Sequence, residues 1–331
     1  MAIAADQPIR WGIISTGGIA SAFTGDLARL PDAMAVAVGS RSQASADAFG
    51  DRFGIERRYP SYEELVQDPD VDAVYVATPH PGHHDAAMLA INAGKAVLVE
   101  KPFTINAGET RELIAAAQAG GTFLMEAMWT RFLPHVVAIR EIIATGRLGE
   151  IRSVLADHGQ WFPMDPDHRI YAPILGGGAL LDLGIYPLSF ASMIFGTPIK
   201  VTAVSDEAFT GVDAQTAVIC QYTGGRQSVS FTTLETKTAN QASINGIEAR
   251  IEIDGVFYSP TSFSVIDRDG TVERHDVPHE GHGLRHQAAE VGRCLRAGLT
   301  ESPVLTLAET LSIMETLDEI RSQIGLRYPS E

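Results

Sequence analysis

The sequence has only two cysteines, Cys220 and Cys294, among its 331 residues. Two isolated thiols provide no disulfide framework, and they fit a reducing compartment. Positive charge is also scarce, because 25 Lys and Arg residues stand against 41 Asp and Glu residues, for a formal net charge of -16. This balance argues against a broad surface for nucleic acid or for an anionic membrane.

Long apolar runs are absent as well, since no uninterrupted stretch reaches the ~18 apolar residues that predict a membrane span. Residues 1–6, Met-Ala-Ile-Ala-Ala-Asp, lack the basic segment and apolar core of a signal peptide. We therefore expect a cytoplasmic protein. The chain is longer than the size at which one core keeps growing, so we expect two domains.

The first recognisable motif joins a strand to a helix. An apolar strand pattern over residues 11–14 is followed by Ser15-Thr16-Gly17-Gly18-Ile19 and then by apolar residues at helical spacing. A small-residue turn in this setting can approach a dinucleotide pyrophosphate, whose charge is met by the helix N-terminus. Ser15 replaces the usual first glycine of the motif, so a turn without a ligand is the alternative interpretation.

The second strand pattern, residues 34–38, leads into Ser40 and Arg41. A carboxylate at this position would bind the ribose 2′-hydroxyl of NAD, and none is present in the turn. A hydroxyl and a guanidinium instead suit a 2′-phosphate, which favours NADP. The alternative is that Arg41 is an ordinary solvated cation.

A third motif, Glu100-Lys101-Pro102, closes the apolar run of residues 96–99. Such a run predicts a buried parallel strand, and the carboxyl end of parallel strands is where ligands and chemistry lie. The alternative is an ion pair on a solvated loop.

Several histidines lie on the proline-rich segment that follows the strand pattern of residues 71–77. His80, His83 and His84 match no defensible zinc spacing, so ligand contacts or polarity at a helix start are favoured and no metal is expected.

The strand–helix alternation ends near Met125, and the second half of the chain has a different pattern. Strand patterns recur from residue 151 to residue 275, with hairpin signals at Gly224-Gly225, Asp254-Gly255 and Asp269-Gly270. We predict an α/β protein with a Rossmann doubly wound parallel sheet over residues 1–128. Residues 129–331 are predicted to form an α+β substrate-binding and dimerisation domain with a large, mainly antiparallel open sheet. Because the bare face of such a sheet is rarely left exposed, we expect a homodimer.

Four segments together resemble one family: residues 12–20, Thr78-Pro79 with His83, residues 93–102 and residues 176–186. The resemblance is to the glucose–fructose oxidoreductase (Gfo/Idh/MocA) family. Within the family the chain is most similar to the dihydrodiol dehydrogenase and NADP-dependent D-xylose dehydrogenase subgroup. Ser15 and residues 123–132 and 179–186 carry that finer similarity.

The resemblance implies hydride transfer between NADP and a ring carbinol carbon, either C1 of a D-xylose-like aldopyranose or a carbon of a trans-dihydrodiol. Most family members have histidine four residues after the aspartate, where this chain has Tyr186. Asp182 and Tyr186 would share one face of a helix, for which a surface hydrogen bond is the alternative reading. A phenol with a pKa of about 10 is a poor base at neutral pH unless an ammonium such as Lys101 favours its phenolate. Whether Lys101 or Tyr186 accepts the proton stays open.

The expected catalytic residues are Lys101, Tyr186 and Asp182. The expected cofactor-binding residues are Ser15, Thr16, Gly17, Gly18, Ile19, Ser40, Arg41, Thr78, His80, His83, Glu100, Lys101 and Arg131. The expected substrate-binding residues are Trp129, Phe162, Arg169, Asp182 and Tyr186. Two other functions stay open: an NADP-binding sensor without turnover, and a metal-dependent hydrolase using His80, His83, His84 and His168.

Overall fold

A computed structural model of the protein describes residues 7–331. The described chain forms two compact units. The first unit runs to Trp129 and also includes Gly281–Leu311, and the second comprises Thr130–Glu280 and Ser312–Glu331.

The first unit contains a six-stranded parallel sheet in the order β3-β2-β1-β4-β5-β6. Its strands are β1 Ile9–Ile14, β2 Ala33–Gly39, β3 Arg57–Tyr59, β4 Ala73–Val76, β5 Ala96–Glu100 and β6 Leu124–Ala127. The helices between them are α1 Gly18–Leu27, α2 Gln43–Phe53, α3 Tyr62–Val66, α4 His83–Asn92 and α5 Ala107–Gly120. The predicted doubly wound parallel sheet is confirmed.

An ion-pair network closes the amino end of this sheet. Arg10, in β1, pairs with Asp70 and Asp72, both at 2.8 Å. Arg57, in β3, pairs with Asp68 and Asp70. These charges pair with one another at the amino end of the strands, whereas ligands of such sheets bind at the opposite, carboxyl end.

The returning segment, residues 281–311, completes the first unit. The buried carboxylate of Asp26 on α1 accepts hydrogen bonds from the amides of His282 and Leu284, at 3.1 and 2.8 Å. The amide of Leu124 in β6 donates to the carbonyl of Thr300. The sequence pattern assigned these residues to the second half, because an amphipathic helix does not reveal which sheet it covers. The helix of this segment is α8 Arg285–Arg296.

The second unit is built on an eight-stranded sheet in the order β14-β13-β12-β11-β7-β10-β9-β8. Its strands are β7 Ile151–Gly159, β8 Lys200–Glu207, β9 Asp213–Gln221, β10 Gln227–Thr233, β11 Ala242–Gly246, β12 Ala249–Ile253, β13 Phe263–Asp267 and β14 Val272–His275. All neighbouring strands pair antiparallel except β7 and β10. The predicted large, mainly antiparallel sheet is confirmed.

The helices of the second unit are α6 Pro134–Ala144 and α7 Ile185–Phe195, and α9 Leu307–Ile324 continues into it from the first. Residues Pro173–Phe195 have the length and hydropathy of a membrane span, but 83% of that apolar window is buried inside the protein. The segment therefore has the burial of a core helix.

Candidate active site

The N-terminus of α1 is arranged to receive an anion. Its N-cap residue, Gly17, offers no side-chain cap, and no acidic residue lies in the first turn. By contrast, Ser42, Ser61 and Asn106 each cap a later helix of the unit with a side-chain oxygen. An ideal Cβ at Gly18 would meet no atom within 4 Å, so the space beside this residue of the first turn is open. An uncapped helix start of this kind suits a phosphate group.

Ser15 takes the backbone conformation that the missing glycine would supply. Its φ is +84°, a region that residues with a side chain rarely adopt. Its amide donates to the carbonyl of Gly39 at 2.9 Å, which ties the turn to the end of β2. The turn therefore keeps the geometry of the fingerprint although its first residue is serine.

The end of β2 presents a free cation. Ser40 is buried, and its amide donates to the carbonyl of Tyr59. Arg41 is exposed and makes no hydrogen bond or ion pair with any other residue in the described range 7–331. Burial raises the pKa of the neighbouring Tyr62, and the charge of Arg41 acts in the opposite direction. An unpaired guanidinium at this strand end can bind a phosphate without first breaking an ion pair.

The carboxyl ends of β4 and β5 are linked through His83. Its ring is completely buried, with one nitrogen 2.8 Å from the carbonyl of Pro102 and the other 2.9 Å from that of Thr78. Burial lowers the pKa of His83 to about 4, with a smaller contribution from the charge of Lys101. The neutral ring at pH 7 donates to one of the two carbonyls at a time. With both nitrogens facing the main chain, His83 positions the Lys101-Pro102 segment.

Glu100, predicted to bind the cofactor, makes hydrogen bonds within the protein. Its side chain is buried, and it accepts hydrogen bonds from the hydroxyl of Tyr75 and from the amide of Lys101. These hydrogen bonds fix the backbone at the end of β5, immediately before Lys101.

The histidines that suggested a metal do not converge. His84 bonds Asp85 at 3.0 Å, whereas His80 is buried with its ring 5.7 Å from that of His83. His168 lies in the second unit, where it accepts from the amide of Ile170. Over residues 7–331, no three His, Cys, Asp or Glu side chains form a group able to hold a metal ion.

Asp182 lies on a π-helical segment, Leu180–Gly184, that leads directly into α7. The sequence predicts an α-helix over these residues, and single π turns are frequent at functional sites. Asp182 is buried and pairs with Arg169 at 2.7 Å. This ion pair shows that Arg169 contacts Asp182.

Asp213, which sequence reasoning missed, anchors the start of the π segment. One carboxylate oxygen accepts from the amide of Leu180 at 2.7 Å and from the hydroxyl of Thr216 at 2.8 Å. Full burial raises the pKa of Asp213 to about 7. An ideal Cβ at Gly178 would lie 2.3 Å from the other carboxylate oxygen, so this turn requires glycine. Lone acidic residues carry no periodic signal that reveals such an anchor.

Tyr186, the first-turn residue of α7 predicted to be catalytic, is buried in a cluster of rings. The ring of His158 is 5.1 Å away and that of Tyr258 is 4.9 Å away. His158 and Tyr258 stack on each other at 3.8 Å. Because these partners come from distant parts of the sequence, spacing alone could not identify them.

The other predicted contacts are divided between the units. Arg131, predicted to bind the cofactor, belongs to the second unit, where its buried guanidinium donates to the side chain and the carbonyl of Ser189. Trp129 is the last residue of the first stretch of unit one, and Phe162 is half-buried in unit two with its ring 5.6 Å from His168.

Known proteins match this chain along nearly its whole length. Residues 9–128 match the model of the oxidoreductase family with an NAD-binding Rossmann fold, and residues 136–255 match the Gfo/Idh/MocA C-terminal domain. Trans-1,2-dihydrobenzene-1,2-diol dehydrogenase of Bos taurus is 40% identical over 98% of this chain and 99% of its own. The Homo sapiens enzyme of the same name is 39% identical with the same coverage.

Solved structures share the fold along nearly the whole chain. The 3-ketoreductase KijD10 of Actinomadura kijaniata, in complex with NADP and TDP-benzene, is 28% identical with a TM-score of 0.83, over 96% of this chain and 98% of its own. The aldose-aldose oxidoreductase of Caulobacter crescentus gives a TM-score of 0.88 at 24% identity, with the same coverage, which supports the fold alone. With both family models matched and full-length relatives near 40% identity, the chain belongs to the Gfo/Idh/MocA family of oxidoreductases.

Proposed function

We propose that the protein is an NADP-dependent dehydrogenase that acts on a ring carbinol carbon of a trans-dihydrodiol or of a D-xylose-like aldopyranose. The observation that carries the cofactor preference is the exposed, unpaired guanidinium of Arg41 at the end of β2. The names of the relatives, which are dehydrogenases of a cyclic diol, support the substrate class.

The residues fit the cofactor. The open first turn of α1 would hold the pyrophosphate through the amides after Gly17, and Ser40 and Arg41 would bind the 2′-phosphate. Thr78 and His80 lie at the end of β4, where they would border the bound cofactor, while His83 and Glu100 hold the backbone around Lys101. When bound, the nicotinamide supplies or accepts the hydride.

The chain's own residues handle the proton. We assign the Lys101 ammonium to stabilising the oxyanion that develops on the substrate, and we assign the proton transfer to the Tyr186 hydroxyl. The carboxylate of Asp182 pairs with Arg169. We assign to Asp182 the role of orienting the substrate or a group that contacts the substrate. Arg131 supports α7 through Ser189, and we propose that Trp129 and Phe162 present apolar surface to the substrate ring.

A turnover assay tests this function. The purified protein is given NADP or NAD with trans-1,2-dihydrobenzene-1,2-diol, D-xylose and trans-cyclohexane-1,2-diol, and reduced nicotinamide is followed by absorbance. We expect reduction with at least one of these substrates, and a higher kcat/KM with NADP. Tight NADPH binding with no turnover of any substrate would instead favour the sensor interpretation. Turnover that is unchanged after chelation would exclude the metal-dependent hydrolase.

We also propose a cytoplasmic homodimer. Both cysteines are buried free thiols, which fits a reducing compartment. Along the open face of the second sheet, Ile219, Val229 and Leu155 stand in register on neighbouring strands, each more than 40% exposed. Val204 adds a fourth apolar side chain, and a cavity of about 570 Å³ lies beside the row, lined by Leu155, Val229 and Phe231. A second copy of the chain would cover this apolar strip by a two-fold contact.

A further inference from the structure

Residues 326–331 contact the loop that leads into the π segment. The hydroxyl of Tyr328 donates a hydrogen bond to the carbonyl of Gly177 at 2.8 Å. Tyr328 is buried, with only 3% of its surface exposed. This hydrogen bond therefore lies inside the second unit, where it joins a segment after α9 to the loop before Asp182.

Tyr328 is itself fixed by an ion pair. The carboxylate of Glu331 accepts from the amide of Tyr328 at 3.0 Å, and it pairs with the guanidinium of Arg321 through both of its oxygens, at 2.8 and 2.7 Å. The guanidinium of Arg321 also lies 5.3 Å from the centre of the Tyr328 ring. Because a bidentate pair has a defined geometry, the tyrosine is held by its amide, its ring and its hydroxyl.

Gly177 packs against the turn that carries Arg169. An ideal Cβ at Gly177 would lie 2.5 Å from the carbonyl oxygen of Ile170 and 2.9 Å from that of Arg169. The amide of the next residue, Gly178, donates to the same carbonyl of Ile170 at 2.8 Å. A displacement of Gly177 would therefore disturb the backbone at Arg169.

The same contact extends to the π segment. An ideal Cβ at Gly178 would lie 3.4 Å from the Tyr328 hydroxyl, and the carboxylate of Asp213 closes the other side of this glycine. The amide of Asp182 lies one turn further on, 3.4 Å from the carbonyl of Gly178. Both members of the ion pair between Arg169 and Asp182 are thus on backbone that the tyrosine helps to hold.

We propose that Tyr328 positions the Arg169–Asp182 pair for substrate binding, through its hydrogen bond to Gly177. Tyr328 is a positioning residue, because it acts through the loop and not on the substrate. The inference rests on the proposed function only in taking the Arg169–Asp182 pair to bind or orient the substrate. Loss of the hydroxyl should then weaken substrate binding and leave cofactor binding unchanged.

The first measurement concerns the loop. Hydrogen–deuterium exchange followed by mass spectrometry compares wild type with Tyr328→Phe, which keeps the ring and removes only the hydroxyl. Peptides that cover residues 169–184 should exchange about 3- to 10-fold faster, the value of one neutral hydrogen bond, and peptides of the parallel sheet should keep their wild-type rates. Tyr222→Phe is the matched control, since its hydroxyl bonds Ser228, and it should leave exchange over residues 169–184 unchanged.

The second measurement concerns substrate affinity. With a substrate that the turnover assay identifies, Tyr328→Phe should raise KM about 3- to 10-fold at a kcat close to wild type, because it weakens the binding of ground state and transition state alike. Its dissociation constant for NADPH should equal that of wild type. A merely structural role would lower the free energy of unfolding without this separate effect on KM.

Glu331 provides a second variant at an exposed position. Glu331→Ala removes the group that holds the amide of Tyr328, so it should change the exchange rates and KM in the same direction. In Glu331→Gln the amide oxygen can still accept from Tyr328, so this variant should recover most of the wild-type behaviour. If Tyr328→Phe does not fold, the two Glu331 variants decide by the same criteria.

Wild-type exchange over residues 169–184 in Tyr328→Phe would overturn the inference, as would faster exchange with an unchanged KM. If wild type turns over no substrate, the dehydrogenase function fails, and the exchange rates alone decide whether Tyr328 holds the loop in position.

Discussion

Asp213 accepts a hydrogen bond from the main-chain amide of Leu180 at 2.7 Å, and this bond fastens the start of the π segment to β9. The carboxyl is buried, the Thr216 hydroxyl is a further donor to it, and the charge of Asp213 acts on the buried Tyr328 of the C-terminal segment. The geometry of the segment that carries Asp182 therefore depends on a group that titrates near neutrality.

The first prediction concerns the pH dependence of stability. Burial raises the pKa of Asp213 from 3.8 in its ordinary range to about 7, so the native state holds a proton that the unfolded chain releases. Its contribution to the free energy of unfolding is most favourable below pH ~4 and is lost as the pH rises to ~7, by an amount on the order of 3–4 kcal/mol. In Asp213→Asn this loss should be absent. The difference between the free energies of unfolding measured in urea at pH 5 and at pH 8 should therefore be smaller than in wild type.

The control for this experiment is Asp269→Asn. Asp269 is exposed, and hydrogen bonds from Thr271 lower its pKa, so it stays ionised throughout this range. That variant should keep the wild-type difference between pH 5 and pH 8. If Asp213→Asn behaves as the control does, Asp213 does not titrate in this range.

The second prediction concerns cofactor choice. Arg41→Ala should weaken NADP binding by about 1.5–3 kcal/mol, the value of a hydrogen bond to a charged group, while NAD binding changes little. Arg111→Ala, an exposed arginine on α5, should leave both affinities unchanged. Fluorescence titration with NADPH and with NADH measures the dissociation constants. An equal loss of affinity for the two cofactors in Arg41→Ala would contradict an NADP-specific role.

The third prediction concerns the chemical step. Lys101→Met and Tyr186→Phe should each bind NADPH within a few-fold of wild type and lower kcat by at least the ~10²-fold expected of a positioned acid–base group. The double variant should lose less than the product of the two effects, because residues acting as a unit are not additive. In Tyr186→Phe the rise of the oxidation rate with pH should also disappear.

Matched controls for the third prediction lie in the same units. Lys95, at the other end of β5, donates to the carbonyls of Asp68 and Val71, so Lys95→Met should affect stability but not the pH profile. Tyr222→Phe removes a buried hydroxyl of the second unit. Normal turnover in Tyr186→Phe would move the proton transfer to Lys101.

The fourth prediction concerns assembly. Ile219→Asp introduces a charge into the row formed with Val229 and Leu155, so it should convert a dimer of twice 35.5 kDa into a monomer of 35.5 kDa. Leu299→Asp, at a partly exposed apolar residue of the first unit, should leave the mass unchanged. Light scattering measures both masses, and a wild-type monomer at micromolar concentration would rule out the dimer.

Local signals in the sequence were sufficient to predict both sheets. Hairpin signals such as Asp269-Gly270 mark the turns. The alternation in β9 places Val218 and Ile219 on opposite faces, but both faces are apolar in sequence, and only the structure shows that Val218 is buried and Ile219 exposed. The fingerprint turn is also visible, although Ser15 replaces glycine. The parts that the sequence did not reveal depend on contacts between distant residues, such as Asp213 with Leu180 or His158 with Tyr258. The π segment is a further example, because its composition is that of an ordinary helix.

The division of the first unit into two stretches has a consequence for folding during synthesis. Asp26 cannot gain its donors from His282 and Leu284 until more than 250 residues have followed it, and Leu124 must wait for Thr300. Contacts of such long sequence separation are slow to form, and domains generally fold as units while they emerge from the ribosome. The six parallel strands are synthesised first, and the second unit, most of which is one continuous stretch, can then form its sheet before the segment that completes the first unit has been made. Until the segment with α8 has been made, Asp26 of the nascent first unit lacks its native donors and the edge strand β6 is exposed. An exposed strand edge favours aggregation, so we expect chaperones to bind the nascent chain during this period.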